Sequence, residues 1–158
     1  MIIISNKDIA DPATTEKDIG IYDDGSPDVT VMDARKAYYY ARDIEGRWPE
    51  GEVAIAQDPQ WAYYYTLNII KGGWPEAEAV IAQNAYWAYQ YAMYIIEGRW
   101  PEAEPIIAQN ANWAFYYAYN IIKDRWPEGE AAIMQNAKWA HFYAQNIIKD
   151  NRLKPSTM

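Results

Sequence analysis

The sequence predicts an all-α fold, an α-solenoid of about four and a half two-helix repeats of 26 residues behind a non-repeating N-terminal cap or arm. Three observations predict it. The eight tryptophans, Trp48, Trp61, Trp74, Trp87, Trp100, Trp113, Trp126 and Trp139, recur every 13 residues. They alternate between the contexts W-P-E and W-A-x, so the true period is 26 residues, inside the range of stacked helical repeats. Each unit also carries two helix-start signals, an Asp or Asn before W-A-x and a Pro directly after the other Trp.

Taken in order, residues 1–33 form an acidic arm or cap, 34–151 the repeat domain and 152–158 a flexible tail. The arm is rich in turn residues and shows no helical period. The first unit starts at Arg35, where Arg35 and Lys36 replace the Trp-Ala of later units, as in a terminal repeat with a polar outer face. In each later unit a long helix of about thirteen residues starts after Asp58, Asn84, Asn110 or Asn136 and stops near Gly72 or Gly98, which suit the position after a helix end. A short helix follows from Pro49, Pro75, Pro101 or Pro127, with two glutamates in its first turn to complement the helix dipole.

A helical wheel puts Trp61, Ala62, Tyr65, Thr66, Ile69 and Ile70, with their repeats, on the packing face. Tyr39, Tyr65, Tyr91, Tyr117 and Tyr143 form an unbroken column there, and Lys71, Glu97, Lys123 and Lys149 mark the wet face. All eight tryptophans are expected between units. Each buried Trp removes about 150–250 Å² from water, roughly 4–6 kcal/mol as an upper bound. Small residues on the short helices (Gly51, Ala77, Val80, Gly129) suggest that these helices approach one another closely and form the concave layer.

Composition narrows the function. The chain has no cysteine, which removes disulfides and thiol chemistry, and one histidine, His141, in an otherwise aromatic column. No cofactor, metal set or catalytic constellation is indicated, and the reading is non-enzymatic. The glutamates of a pair sit two residues apart on one helix and diverge by about 200°, so they cannot converge on a bond as an acid and a base do. The net charge is −8; residues 1–34 carry eight acids against two lysines, leaving −2 for the rest. Such a chain repels phosphate, which argues against direct nucleic-acid binding, and its longest apolar run is too short to span a membrane. Met1–Ser5 is too short for a secretion signal, so the expected location is the cytoplasm.

Two surfaces suit a protein partner. One is an aromatic stripe close to the wet face, Tyr38, Tyr64, Tyr94, Tyr116, Tyr119 and Phe142. The other is acidic and suits a basic partner surface: Asp18, Asp23, Asp24 and Asp28 in the arm, and the ladder Glu50, Glu52, Glu76, Glu78, Glu102, Glu104, Glu128 and Glu130. Self-assembly into a homo-oligomer through the stacked ends is the alternative, and sugar stacking on the tryptophans a third reading.

The motif W-P-E-A-E-x-x-I-A-x-N/D-x-x-W-A-x-x-Y-A resembles tandem helical repeats of bacteriophage and bacterial proteins, over residues 34–150. The resemblance implies a phage or mobile-element origin. It further implies an inhibitor or adaptor that binds and blocks a host protein, for instance one of defence, in the host cytoplasm. The motif carries no assigned activity, so it transfers no functional residues.

Overall fold

The computed structural model describes Asp28 and residues 32–148, and expectations placed on the other residues fall outside it. Every element among the described residues is helical: α1 (Ala34–Asp43), α2 (Pro49–Ile55), α3 (Pro59–Tyr65), α4 (Pro75–Ile81), α5 (Ala85–Tyr91), α6 (Glu104–Ile107), α7 (Ala111–Tyr117), α8 (Pro127–Met134) and α9 (Ala137–Tyr143). The odd-numbered helices are the long ones. Four of them continue as π-helical segments, Thr66–Ile70, Ala92–Ile96, Ala118–Ile122 and Ala144–Ile148. Successive elements pack in chain order, giving an all-α repeat solenoid with a long-helix and a short-helix layer.

Local chemistry sets the boundaries. The side chain of Asp58 accepts the backbone N–H groups of Gln60 and Trp61, and Asn84, Asn110 and Asn136 do the same one, two and three units later. Proline opens α2, α4 and α8, where its missing N–H costs nothing. In α6 a second proline, Pro105, replaces Val53, Ala79 and Ala131 of the other units. It cannot donate to the ladder, and the helix shrinks to four residues beginning at Glu104.

The long helices do not end at glycine. The left-handed residue is Lys71, Glu97 or Lys123, at φ 57°, 57° and 60°, one position before the expected Gly72 or Gly98. A single exposed residue tolerates this conformation at about 1–2 kcal/mol. The π segments have a counting origin. From cap to left-handed residue is 12 positions in the first unit, Asp33 to Glu45, and 13 in the next three, such as Asp58 to Lys71. The additional residue is taken up as a wider turn, closed by Lys71 N–H donating to Thr66 O at 2.7 Å, five residues back. α1, without that residue, has no π segment.

The tryptophans divide by context. Trp48, Trp74, Trp100 and Trp126, before the short helices, are buried; Trp61, Trp87, Trp113 and Trp139, on the long helices, are only half-buried. Each buried indole from Trp74 on lies against the preceding long helix, with Trp74–Tyr65 centroids at 5.1 Å, Trp100–Tyr91 at 4.9 Å and Trp126–Tyr117 at 5.0 Å. Its backbone N–H donates forward to the next column tyrosine, at 2.7–2.9 Å throughout. That tyrosine hydroxyl donates in turn to a short-helix glutamate: Tyr65 to Glu52, Tyr91 to Glu78, Tyr117 to Glu104 and Tyr143 to Glu130, at 2.8–3.0 Å. One phenol therefore joins a loop, a short helix and a long helix.

Tyr39 heads this column, and its buried hydroxyl has no hydrogen-bond partner among the described residues. The positions matching Trp48 and Glu52 one unit earlier are Tyr22 and Ser26, outside the described residues.

The close approach expected of the short helices does not occur. The long helices pack directly on their successors, whereas no pair of short helices is joined to a comparable extent. The small residues serve a different neighbour. A Cβ on Gly51 would collide with the Trp48 ring, and one on Gly129 would stand 2.5 Å from that of Trp126. They make room for the indole three residues earlier, leaving nothing to draw the short helices together.

Two outcomes follow from the tyrosine column. Tyr91→Phe strands the buried Trp74 N–H and should lower the unfolding free energy in urea by about 1–3 kcal/mol; a loss below about 0.5 kcal/mol would show that the hydroxyl is not a structural joint. Burial pushes the phenols of Tyr65 and Tyr143 up to about 12 and those of Tyr91 and Tyr117 higher still, from an ordinary 10.0. A raised folded-state pKa gives stability that is present below the unfolded value and lost as pH rises toward the folded one. Between pH of about 10 and about 12, column tyrosinate absorbance and loss of helical circular dichroism should therefore appear together. Complete tyrosine ionisation with the helix signal intact would contradict this.

Candidate functional site

A concave aromatic surface lies between α7 and α9. Trp139, Phe142 and Asn146 follow one another at helical spacing on α9 and its π extension; Phe115, Tyr116, Tyr119 and Asn120 face them from α7 and its extension. They enclose a groove of about 400 Å³. Phe115 is buried and lies against Trp139 with centroids 5.3 Å apart and against Tyr119 at 5.8 Å, nearly parallel in the second case at 15°. Tyr116 meets Trp139 edge-on at 5.4 Å. Lys138 sets its ammonium 4.6 Å over the Trp139 ring at the rim.

The groove has a sequence cause. Asn68 donates its amide to the Tyr38 hydroxyl at 2.9 Å. Gln90 stands where the next ring of that column would be, so Asn120 reaches one residue further, to the Tyr89 hydroxyl, also at 2.9 Å. At α9 the residue 31 positions back is Phe115, which has no hydroxyl, and Asn146 also passes over Tyr116, 30 positions back, to turn onto the Phe142 carbonyl at 2.7 Å. The other wall loses a hydroxyl as well, because Phe142 follows Tyr38, Tyr64 and Tyr116 in its column. The chain has two phenylalanines, and both line this groove.

The stripe expected from sequence is only partly a surface. Tyr38 is 5% exposed and accepts the Asn68 amide, so it belongs to the core; the wheel of α1 ignores the helix that covers it. Tyr64 and Tyr116 are half-buried between neighbouring rings, while Tyr94, Tyr119 and Phe142 are 39%, 42% and 37% exposed. His141 is exposed although its column-mates Tyr63, Tyr89 and Phe115 are buried. Phe115, Asn120, Lys138 and Asn146 are groove residues that the periodicity analysis does not single out, and Trp139 is one that it assigns to the packing between units. The departure from tyrosine at both phenylalanine positions is the signal that finds them.

The acidic ladder separates into two rows. Glu50, Glu76, Glu102 and Glu128 are exposed. Glu52, Glu104 and Glu130 are instead structural: each takes two hydrogen bonds from Arg47, Arg99 or Arg125 at 2.7–2.9 Å besides its tyrosine. Those guanidinium bonds hold the three carboxyl groups below the ordinary carboxylate range, burial opposing and the tyrosine bond assisting. Glu78 is bound by Tyr91 alone, because Gly73 stands where the other units have arginine. These four glutamates are joints of the fold rather than a partner surface. In the arm, Asp28 is half-buried, and Asp18, Asp23 and Asp24 lie outside the described residues.

Among the described residues no His, Cys, Asp and Glu group of three or more is placed to hold a metal ion, and no helix is long and apolar enough to cross a membrane. Compared with family models, with curated proteins and with solved structures, the chain matches none.

Gly73 offers a direct check on the structural row. A Cβ there stands 3.7 Å from both Glu78 Oε1 and the Tyr91 hydroxyl, ordinary contact distances. Gly73→Arg should raise the melting temperature by about 2–4 °C beyond Gly73→Ala, an increment that shrinks at high salt as the new ion pair is screened. Equal melting temperatures for the two variants would show that the arginines of the other units contribute nothing measurable.

Proposed function

We propose that this chain is a non-enzymatic protein-binding scaffold that grips its partner through the groove between α7 and α9. The observation that carries the reading is the placing of both phenylalanines, with Tyr119 and Trp139, on an open concave surface. Phe142, a ring without a hydroxyl that is still exposed, gains most from being removed from water, and aromatic side chains in a pocket are the usual anchors of protein interfaces. The exposed row Glu50, Glu76, Glu102 and Glu128 adds long-range attraction for a basic partner surface. The resemblance to phage repeat proteins extends the proposal to an inhibitor or adaptor that occupies a host protein, such as one of defence, in the host cytoplasm.

A second reading, self-assembly, has its own observation. Ala140 is half-buried and Ala144 exposed, although Ala62, Ala88 and Ala114, and Thr66, Ala92 and Ala118, are buried in the earlier units. The last described long helix thus leaves open a face that its counterparts cover.

The test compares the immobilised full chain with a Tyr119→Ser, Phe142→Ser double variant of unchanged circular dichroism, using bacterial lysate. The parent should retain a stoichiometric protein, and the double variant should release it about tenfold faster or more. Equal retention, or no retained protein at all, would overturn the reading. Sedimentation of the parent over a range of concentrations, against Ala144→Arg, examines self-assembly separately.

A further inference from the structure

A second groove lies in the short-helix layer, between α6 and α8, with a volume of about 770 Å³. Pro105, which limits α6 to four residues, is part of its lining. The floor is made of small apolar groups, among them Pro101, Pro105, Ala108, Ala131 and Ala132, without an aromatic ring. Glu128 stands at one edge, and its charge reaches Arg99 in the unit before, helping to raise the pKa of that guanidinium.

The net charge of this layer is negative, each unit setting two glutamates against at most one arginine. The segments 49–59, 75–84, 101–110 and 127–136 contain no lysine and no arginine. The arginines just ahead of three of them are committed to Glu52, Glu104 and Glu130. Glu50, Glu76, Glu102 and Glu128 take part in no ion pair among the described residues. The groove therefore sits in a field of unpaired carboxylates.

We propose that the α6–α8 groove is a docking site for a cationic segment of a protein partner, laying small apolar side chains on the proline–alanine floor and a lysine or arginine against Glu128. Charge complementarity selects the occupant. Phosphate chains are repelled by such a layer, and a second copy of this chain, at net −8, is repelled as well. A sugar finds no ring to stack on. The inference rests on the reading of the chain as a protein-binding scaffold but concerns a surface distinct from the aromatic groove.

The probe is a synthetic peptide of about twelve residues, alternating lysine with alanine and leucine, titrated into the isotopically labelled full chain. A matched peptide with glutamate for lysine is the control. The lysine peptide should shift the backbone amides of Ala108, Ala131, Ala132 and Gln135, and should bind more weakly when salt rises from about 50 to about 300 mM. Glu128→Gln should weaken it about three- to tenfold. Ala131→Lys, at an exposed position, should abolish the shifts. The Tyr119→Ser, Phe142→Ser variant should bind the peptide unchanged, so failure here and failure of the aromatic groove are told apart. Equal binding of the glutamate peptide, equal weakening by Glu50→Gln, or shifts confined to Trp139 and Phe142 would each overturn the assignment.

Discussion

The fold hangs on a phenol oxygen used twice. In four consecutive units a column tyrosine receives the N–H of a buried tryptophan and gives its own proton to a glutamate of the short helix. A repeat stack has no distant part of the chain to close its core, so each unit must fix its neighbours. Tyrosine does so because its ring fills apolar space while its hydroxyl satisfies two polar groups that would otherwise be stranded. Phenylalanine supplies only the first half, and it is absent from this column. Where it does occur, at 115 and 142, the structure opens into a groove. The same substitution that would weaken a joint makes a surface.

The architecture was legible because its signals repeat. The tryptophan spacing, the Asp and Asn caps and the first-turn prolines each appear several times, and the structure places helices where they say except at Pro101, where α6 begins only at Glu104. What the periodicity concealed was the difference between similar residues. Eight tryptophans looked alike, yet those before the short helices sit between layers and those on the long helices sit at a seam edge. Paired glutamates looked alike, yet one of each pair faces solvent and the other is held by tyrosine. A helical wheel assigns a residue to a side of its own helix; it does not know which other helix covers that side, so Tyr38 was misread. The small residues of the short helices were legible as small, but the neighbour they accommodate is their own tryptophan.

The wider turns of the long helices show how a stack absorbs a change in length. One additional residue between cap and helix end would, in a regular α-helix, rotate every later side chain by about 100°. Drawn into a π segment, it leaves the left-handed residue and the following tryptophan in register. Four successive units carry the π segment at the same position, and the first unit, without the residue, needs none. The Trp ladder stays regular across this difference because the first unit starts its long helix one position later.

Gly73 separates two tasks that the other units combine. Where an arginine is present it lies five residues before its glutamate and braces that carboxylate against its own loop, while the bond that crosses to the next long helix comes from the phenol. At Glu78 the crossing bond is kept and the brace is missing, so Tyr91 alone orients the carboxylate between α4 and α5. The link between units and the stiffening of its acceptor are thus separable parts of the repeat.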